Sequence, residues 1–195
     1  MIVSDGNRGT ERGGVGVHPY VRLARLTVER LLKRETLPVS GREVDENGGA
    51  GDGLWNVERA CFVSIKTLRG ALRGCIGTIL PVHPTLDREI ISNAVSSSTR
   101  DPRFPPMTAS ELDAVTLSVD VLSLPERVAD RNTLDPAVWG VIVSKDGLRG
   151  VLLPDLEGVE TVELQIGIAA QKAGIRDLNG ITIERFRVDR YKEKE

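Results

Sequence analysis

The most informative segment of the chain combines a cationic side chain, a thiol and two glycines: Leu72-Arg73-Gly74-Cys75-Ile76-Gly77-Thr78. The side chains of a β-strand alternate between its two faces, so Arg73 and Cys75 are predicted to project together while Leu72 and Ile76 turn the other way. Glycine weakens a strand and often marks a bulge or the close approach of a ligand or another backbone. Because glycines stand on both sides of the cysteine, this segment is the first candidate for a functional site.

Length and composition limit the classes of protein that the chain can represent. Its 195 residues are enough to bury a sizeable core, and its 26 basic and 28 acidic side chains nearly cancel. No overall field therefore favours nucleic acid or an anionic membrane, and no apolar run approaches the ~20 residues of a transmembrane helix. Two cysteines, Cys61 and Cys75, fit a reducing compartment better than a disulfide framework. The sequence predicts a cytoplasmic protein that binds neither nucleic acid nor membranes.

Two segments are distinguished by their glycine content. Residues 1–17 contain five glycines, with neither apolar periodicity nor a signal-peptide core, which predicts a disordered leader. Residues 18–191 are predicted to form a single domain. Within that domain, residues 45–53 are dense in glycine and acidic side chains, which predicts a loop.

Apolar side chains recur at helical spacing in three segments. The first begins at Pro19, a residue that suits the first turn of a helix, and ends near residue 35. The second covers about residues 84–98. The third covers about residues 162–173 and is followed by Gly174, the residue type at which helices commonly end. Thr108 and Glu111 form a capping-box pattern that predicts one further short turn.

A β-hairpin is predicted around the cysteine of the central motif. Residues 60–66 are the first strand candidate, a turn contains Leu68-Arg69-Gly70, and the segment with Cys75 is the second strand. The pattern allows more than one register. Cys61 is therefore expected either nearly opposite Cys75 or diagonal to it.

Further strand patterns follow in the second half of the chain. Alternating valine and leucine residues from Val115 to Val121 predict the longest strand. Asp146-Gly147 is a strong hairpin signal between strand candidates at residues 139–144 and 148–153. Residues 181–188 predict a final strand, and the tail of residues 185–195 mixes both signs of charge, which predicts a solvated strand and end. Hairpins separated by helices indicate an α+β fold with a mainly antiparallel sheet and flanking helices.

Two motifs connect the chain with a known family. The central motif is followed by Asp101-Pro102-Arg103-Phe104-Pro105-Pro106. This pairing resembles the AMMECR domain family, known in bacteria and archaea as protein A of the AmmeMemoRadiSam system. Residues 121–126, 149–154 and 171–174 resemble further motifs of that family, so the resemblance spans about residues 60–188. Val151 and Trp139 depart from the family pattern, away from the central motif.

The resemblance implies an α+β fold with a larger and a smaller lobe. It also implies a pathway shared with a Memo-like protein, which has a dioxygenase-like fold, and with a radical S-adenosylmethionine (SAM) enzyme. It supplies no reaction, so the chemistry has to be inferred from the residues of the chain.

Cys75 is the candidate nucleophile. Arg73 on the same face would favour the thiolate, which is the reactive form of cysteine. A catalytic thiol usually needs a base, and the chain offers only His18 and His83. The alternative is that Cys75 is a small packing residue, since free cysteine is among the most buried residue types.

Arg73, together with Gly74 and Gly77, is also a candidate anion site. A guanidinium group binds carboxylate or phosphate, and N–H groups beside glycine can add donors. The alternative is an internal ion pair with one of three carboxylates, Asp101, Asp120 or Glu126.

Asp101 and Arg103 frame a turn bounded by prolines and are candidate ligand-binding residues. In one interpretation, Asp101 caps local N–H groups and only fixes the loop after the second helix. In the other, the turn folds over the hairpin and closes a cleft around Cys75, with Phe104 as its apolar contact.

Together these patterns predict a protein that binds a small anionic ligand or modified group in a cleft lined by Arg73, Cys75 and Asp101. Two alternatives stay open. One is a non-catalytic module whose same surface docks a Memo-like or radical SAM protein. The other is a cysteine-dependent transferase or hydrolase with Cys75 as nucleophile. The histidines and isolated cysteines lack metal-ligand spacing and nucleotide-binding motifs are missing, so no metal or cofactor is predicted.

Overall fold

The computed structural model describes residues 17–45 and 53–193. The predicted leader, apart from Val17, lies outside the described residues, as do residues 46–52 of the predicted loop. The described residues form three α-helices: α1 (Pro19–Leu32), α2 (Leu86–Thr99) and α3 (Val162–Lys172). They also form eight strands: β1 (Cys61–Thr67), β2 (Leu72–Gly77), β3 (Val115–Leu122), β4 (Glu126–Arg127), β5 (Gly140–Lys145), β6 (Leu148–Leu152), β7 (Thr182–Phe186) and β8 (Val188–Lys192). None of the described helices has both the length and the apolar character needed to cross a membrane.

Four strands form the larger sheet in the order β2-β1-β3-β8, with every neighbouring pair antiparallel. Helices α1 and α2 pack on one face of this sheet. Alternation places the apolar side chains of β1 and β3 on that face, since residues two apart share a face. The core there includes Val21, Leu23, Cys61, Val63, Ile65, Leu86, Ile90, Leu117 and Val119. The polar residues of the same strands lie on the opposite face.

The smaller sheet has the strand order β4-β7-β5-β6 and is also antiparallel. Helix α3 packs on one of its faces. The core of this lobe includes Val141, Val143, Leu152, Ile166, Ala169 and Ile183. Asp146 and Gly147 join β5 to β6 at φ values of 49° and 81°, as a two-residue hairpin turn requires, so the hairpin predicted there is confirmed.

A third apolar cluster and a bent ribbon join the two lobes. The cluster is buried between the sheets and contains Ala60, Leu122, Ile142 and Phe186. The ribbon consists of β3 leading into β4 and of β7 leading into β8, so the same pair of chain segments contributes to both sheets. At its bend, the Ser123 N–H donates to the Arg187 carbonyl and the Arg187 N–H donates to Ser123 Oγ, both at 2.9 Å. The architecture confirms the predicted α+β fold with a larger and a smaller lobe.

The predicted final strand over residues 181–188 is wrong in its extent. The segment contributes to two strands in different sheets, β7 and β8, which are separated at Arg187. Local sequence does not mark this break, because the bend depends on hydrogen bonds to a distant segment. The strand predicted in the tail is present as β8, but this strand is not simply solvated. Arg190 pairs with Asp120 of β3, and Glu193 pairs with Arg25 of α1.

Both predicted positions of Cys61 are wrong as well. Ser64, and not Cys61, lies opposite Cys75 in the β1–β2 ladder. Cys61 lies on the helix-covered face, where its carbonyl oxygen accepts a hydrogen bond from Asn93 of α2 at 3.0 Å. An irregularity in the ladder beside Lys66 changes the register, and a shift of one residue moves a side chain to the other face of a strand.

Two glycines allow helices to approach the sheets closely. A Cβ atom at Gly74 of β2 would lie closer than 3.0 Å to the backbone oxygen of Ser97 in α2. A Cβ atom at Gly150 of β6 would likewise lie closer than 3.0 Å to the backbone oxygen of Ala169 in α3. Real Cβ atoms do not approach backbone oxygens so closely, so a larger residue at either position would push the helix from the sheet.

The Ser97 side chain uses this close approach to join β1 and β2. Its hydroxyl accepts a hydrogen bond from the Ile76 N–H at 2.9 Å and donates one to the Val63 carbonyl at 2.7 Å. Val63 and Ile76 are partners in the ladder. The helix therefore holds the strand that carries Cys75 through hydrogen bonds as well as through packing.

Candidate functional site

The Cys75 side chain lies on the face of the larger sheet that the helices do not cover. Its partner across the ladder is Ser64, whose hydroxyl donates to Cys75 Sγ at 3.2 Å. Ser64 stands between Val63 and Ile65, which are buried against the helices, so Ser64 and Cys75 point the opposite way. Cys75 is half-buried, whereas Cys61 is buried.

A row of polar side chains crosses this face of the sheet. The ladders place Cys75, Ser64, Ser118 and Lys192 opposite one another on β2, β1, β3 and β8. Neighbouring strands are about 4.8 Å apart, so the row is roughly 14 Å long. We call this row and its neighbours on the same face the polar sheet face, and it consists of Ser64, Lys66, Cys75, Thr116, Ser118, Asp120, Arg190 and Lys192.

An ion pair between Asp101 and Arg103 completes the outer edge of β2 at Cys75. Asp101 Oδ2 accepts a hydrogen bond from the Cys75 N–H at 2.9 Å, and Arg103 Nη2 donates to the Cys75 carbonyl at 3.1 Å. Arg103 Nε and Nη2 also donate to the two oxygens of Asp101, at 2.9 and 2.7 Å. The pair thus takes the place of a neighbouring strand at this position.

Donors of the protein itself surround the Asp101 carboxylate, and its contact with a ligand stays a prediction. Besides the bonds above, its Oδ1 accepts from the Arg103 N–H at 3.1 Å, so four donors surround a carboxylate that is almost fully buried. The Arg103 guanidinium, helped by the N–H groups of Cys75 and Arg103, holds the pKa of this carboxyl well below its usual range. The Arg103 side chain is 53% exposed, so Arg103 is the member of the pair that a ligand can contact.

Arg73 forms an internal ion pair with Glu111, which is none of the three carboxylates that the sequence suggested. Nε and Nη2 donate to its oxygens at 2.7 and 3.2 Å, and Nη2 also donates to the Pro105 carbonyl at 3.0 Å. The Arg73 side chain is only 14% exposed. The Phe104 ring lies beside the guanidinium groups of Arg73 and Arg103, with its centre 5.9 and 5.6 Å away. The segment after α2 is thereby held against the edge of β2.

A second ion pair lies at the opposite side of the polar sheet face. Arg190 Nε and Nη2 donate to the two carboxylate oxygens of Asp120, at 2.8 and 3.0 Å. Asp120 is buried, whereas 40% of the Arg190 side chain is exposed. Asp120 raises the pKa of Arg190, and Asp155 and Cys75 act in the same direction because they lie within electrostatic reach. Asp155 belongs to the smaller lobe, which therefore borders this end of the face.

Three donors of the polar sheet face are free among the residues that the structure describes. The ammonium groups of Lys66 and Lys192 make no ion pair or hydrogen bond within residues 17–45 and 53–193, and neither does the Ser118 hydroxyl. The face therefore presents unneutralised positive charge together with an open hydroxyl. Groups of this kind bind anions.

The family of the chain follows from comparison with known proteins. The family model AMMECR1 matches residues 21–194. The chain belongs to the AMMECR1 family. The central motif, the polar sheet face and the Asp101–Arg103 pair all lie inside the matched region.

Relatives within the AMMECR1 family share most of the chain. A Thermotoga maritima protein is 44% identical over 179 residues, which cover 91% of this chain and 99% of that protein. A Clostridium acetobutylicum protein is 44% identical over 176 residues, which cover 90% of this chain but 36% of that protein. The crystal structure of the Pyrococcus horikoshii protein PH0010 is similar with a TM-score of 0.77 and 28% identity, covering 90% of each chain.

The two glycines of the central motif have packing roles in this structure. Gly74 faces α2, on the side of the sheet opposite to the Cys75 thiol. A Cβ atom at Gly77 would collide with the Phe62 ring and would lie 2.6 Å from the Cys61 carbonyl oxygen. Contact of Gly74 and Gly77 with a ligand stays a prediction.

Both histidines have contacts away from Cys75. The His18 ring packs against Tyr191, with ring centres 4.0 Å apart, at the start of α1 on the helix-covered side of the sheet. The His83 N–H donates to Glu89 of α2 at 2.9 Å. Within the described parts of the chain, no hydrogen bond or ion pair joins either imidazole to Cys75. The role of Cys75 as nucleophile also stays a prediction.

Sequence reasoning missed Ser64, Ser118, Arg190 and Lys192. A signal for Ser118 was present, since the alternation that predicts a buried row from Val115 onward also places the intervening residues on the opposite face. The β8 residues had no comparable signal, because the mixed charges of the tail predict a solvated strand without indicating the strand with which it pairs.

Two open depressions on the smaller lobe lie away from this candidate site. One, of about 490 Å³, adjoins the turn between β5 and β6, and the other, of about 500 Å³, adjoins the end of α3. Neither is lined by a residue of the central motif or of the polar sheet face. Across residues 17–45 and 53–193, His, Cys, Asp and Glu side chains form no group of three or more that could hold a metal ion.

Proposed function

We propose that this protein binds a small anionic ligand, or an anionic modified group, on the polar sheet face beside Cys75. One observation carries the proposal: Lys66 and Lys192 have no acidic partner among the described residues, and both belong to the polar sheet face. The exposed Arg103 guanidinium adds a third cation at the Cys75 edge. Convergent cations beside half-buried hydroxyl and thiol groups favour an anion over a neutral ligand.

The candidate residues divide into those that can contact such a ligand and those that position others. Cys75 and Arg103 are open to the face, and Arg103 Nη1 is not used by Asp101 or by the Cys75 carbonyl. Asp101 acts through Arg103, which it orients. Arg73 acts through Glu111, because their pairing holds the segment that carries Arg103 and Phe104.

Isothermal titration calorimetry of the full chain with acetate, sulfate and inorganic phosphate tests the proposal. At least one anion is expected to bind saturably and to bind more weakly as salt is added, because salt screens exposed charges. Lys66→Met should weaken binding severalfold. Lys172→Met is the matched control, since Lys172 is an exposed lysine at the end of α3. If no anion binds, or if both variants bind as the parent does, the proposal is wrong.

A second function, docking of a Memo-like or radical SAM protein in a shared pathway, is favoured by one comparison. The match covers 36% of the Clostridium acetobutylicum relative, so in that organism the domain is part of a much longer chain. Next to the motif in this chain, Leu80 and Val82 are 44% and 71% exposed. Exposed apolar side chains beside a polar site are suited to contact with another protein.

Co-elution on size-exclusion chromatography with purified Memo-like and radical SAM proteins of the same organism tests the docking function. Val82→Asp is expected to abolish a complex. Leu178→Asp, at a site that is 40% exposed on the smaller lobe, should leave it intact. If neither protein co-elutes with the parent chain, the docking function is rejected.

A further inference from the structure

We infer that the β8 end of the polar sheet face is a phosphate subsite formed by Ser118, Arg190 and Lys192, and that the ligand is a phosphate ester. This inference rests on the proposed anion-binding function and specifies its substrate class. It concerns residues outside the central motif.

The strand register brings the three donors together. Lys192 lies directly opposite Ser118, and Arg190 lies directly opposite Asp120. Side chains directly opposite in an antiparallel pair have Cβ atoms about 4.5–5.5 Å apart. Arg190 and Lys192 are two residues apart on β8 and therefore share a face. A hydroxyl, a guanidinium and an ammonium thus surround one position on the sheet.

The donors are oriented and still available. Asp120 binds Arg190 through Nε and Nη2, which fixes the plane of the guanidinium and leaves Nη1 unused. Ser118 is half-buried, so its hydroxyl has a defined place on the floor of the face. The Ser118 hydroxyl and the Lys192 ammonium have no partner in the part of the chain that the structure describes.

The number and charge of these donors favour phosphate over carboxylate. A phosphate monoester offers three oxygens and a charge of about −1.5 to −2 at neutral pH. Three different donor groups match its three oxygens, whereas a carboxylate has two. Lys192 and the nearby Lys66 supply positive charge that no described residue neutralises by direct contact.

The length of the polar row favours an ester over a free phosphate ion. Lys192 and Cys75 stand at opposite ends of a row of four strands, roughly 14 Å apart. A phosphate ion at the β8 end would leave Ser64 and Cys75 without contact. The organic part of an ester would extend across β1 towards these two side chains and Arg103.

Asp155 acts against an anion at this position, because it lies within electrostatic reach of Arg190. Its backbone has a φ of 55°, a conformation that asparagine tolerates well. Asp155→Asn therefore removes the negative charge at little conformational cost. It is expected to tighten phosphate binding, the opposite of the effect of removing a donor.

Calorimetric titration of the full chain with phenyl phosphate, inorganic phosphate and benzoate tests the inference. Phenyl phosphate should bind most tightly of the three. Lys192→Met should weaken its binding about tenfold, as expected when a charge-assisted bond is lost, and Ser118→Ala severalfold. Lys172→Met should have no effect, and Asp155→Asn should strengthen binding severalfold, which a misfolded variant would not do.

The outcomes separate the subsite from the proposed function. If Lys192→Met and Ser118→Ala bind phenyl phosphate as the parent does, the subsite is refuted. If inorganic phosphate binds as tightly as phenyl phosphate, the ester assignment is refuted. If benzoate binds in a Lys66-dependent manner but neither phosphate probe binds, the anion site stands without the subsite. If none of the three probes binds, the subsite is refuted, and the proposed function fails with it when acetate and sulfate do not bind either.

Discussion

The close approach of α2 to β2 makes Gly74→Ala a sharp test of the structure. The new Cβ atom would lie closer than 3.0 Å to the Ser97 backbone oxygen, and ordinary contact begins at 3.4 Å. A helix backbone cannot rotate away as a side chain can. The helix or the strand must therefore shift, and the Ser97 hydroxyl bridge to Val63 and Ile76 weakens as they separate.

The expected destabilisation follows from two contributions. Overpacking of a tightly packed contact costs about 1–3 kcal/mol. The two hydrogen bonds of the Ser97 hydroxyl contribute about 1 kcal/mol each, and part of that is lost with the shift. We expect Gly74→Ala to lower the free energy of unfolding by roughly 2–4 kcal/mol. For a chain of this size each kcal/mol corresponds to about 2–4 °C in Tm.

Urea denaturation followed by circular dichroism measures this loss, and the chain provides a control with the opposite sign. Gly167 lies inside α3, and nothing would come within 4 Å of a Cβ atom there. Gly167→Ala should therefore stabilise the protein by about 0.5–1 kcal/mol, because alanine favours helices over glycine. The reasoning is refuted if Gly74→Ala stays within about 0.5 kcal/mol of the parent.

Iodoacetamide is expected to alkylate half-buried Cys75 in the folded protein and to spare Cys61, because burial raises the pKa of the Cys61 thiol to about 12. Peptide mass spectrometry distinguishes the two labelled cysteines. Labelling of Cys61 in the folded protein would contradict this prediction. Asp101→Asn should cost about 1–3 kcal/mol at neutral pH, since the buried side chain loses charge-assisted hydrogen bonds while water can still hydrate the half-exposed Arg103 guanidinium. In the parent, the lowered pKa of Asp101 stabilises the fold above about pH 4, and this stabilisation is lost as acid protonates the carboxyl. The unfolding free energy of the variant should therefore depend less on pH below about pH 4. An equal dependence in parent and variant would argue against the Asp101–Arg103 ion pair. Burial lowers the pKa of His18 to about 4, so stability should fall as the pH drops from about 6.5 towards that value, because only the unfolded chain binds the proton readily. His18→Asn keeps a helix cap and should remove this dependence, as urea midpoints across that range would show.

Periodicity in the sequence predicted the elements whose burial is local in origin. Helix α1 and strand β3 have one apolar face each. An element that is buried on one face has apolar residues at the regular spacing of that element, so its type can be predicted from the sequence. The turn at Asp146-Gly147 could also be predicted from the sequence, because both residues tolerate positive φ. The capping box of Thr108 and Glu111 is also confirmed.

The errors concern contacts between distant parts of the chain. The extent of β8 depends on pairing with β3, and the position of Cys61 depends on an irregularity in a ladder. Glu111 already had a local role in its capping box, so nothing in the sequence marked it as the partner of Arg73. In the candidate site, the motifs indicated Cys75 and Arg103. Lys192 lies on the same face of the sheet as Cys75 only because of the order in which the strands pair, and local sequence does not indicate that order.

The bent ribbon has a consequence for the modular construction of the protein. Leu122 and Val188 are partners at the ends of β3 and β8, and all of the smaller lobe, residues 126–186, lies between them in sequence. The smaller lobe is therefore an insertion into a β-hairpin, and its two ends leave the larger lobe side by side, as tolerated insertions generally do. A short turn that joins Leu122 to Val188 would preserve every ladder of the larger sheet. Exchange or redesign of the inserted lobe can thus proceed while the strand register around Cys75 remains fixed.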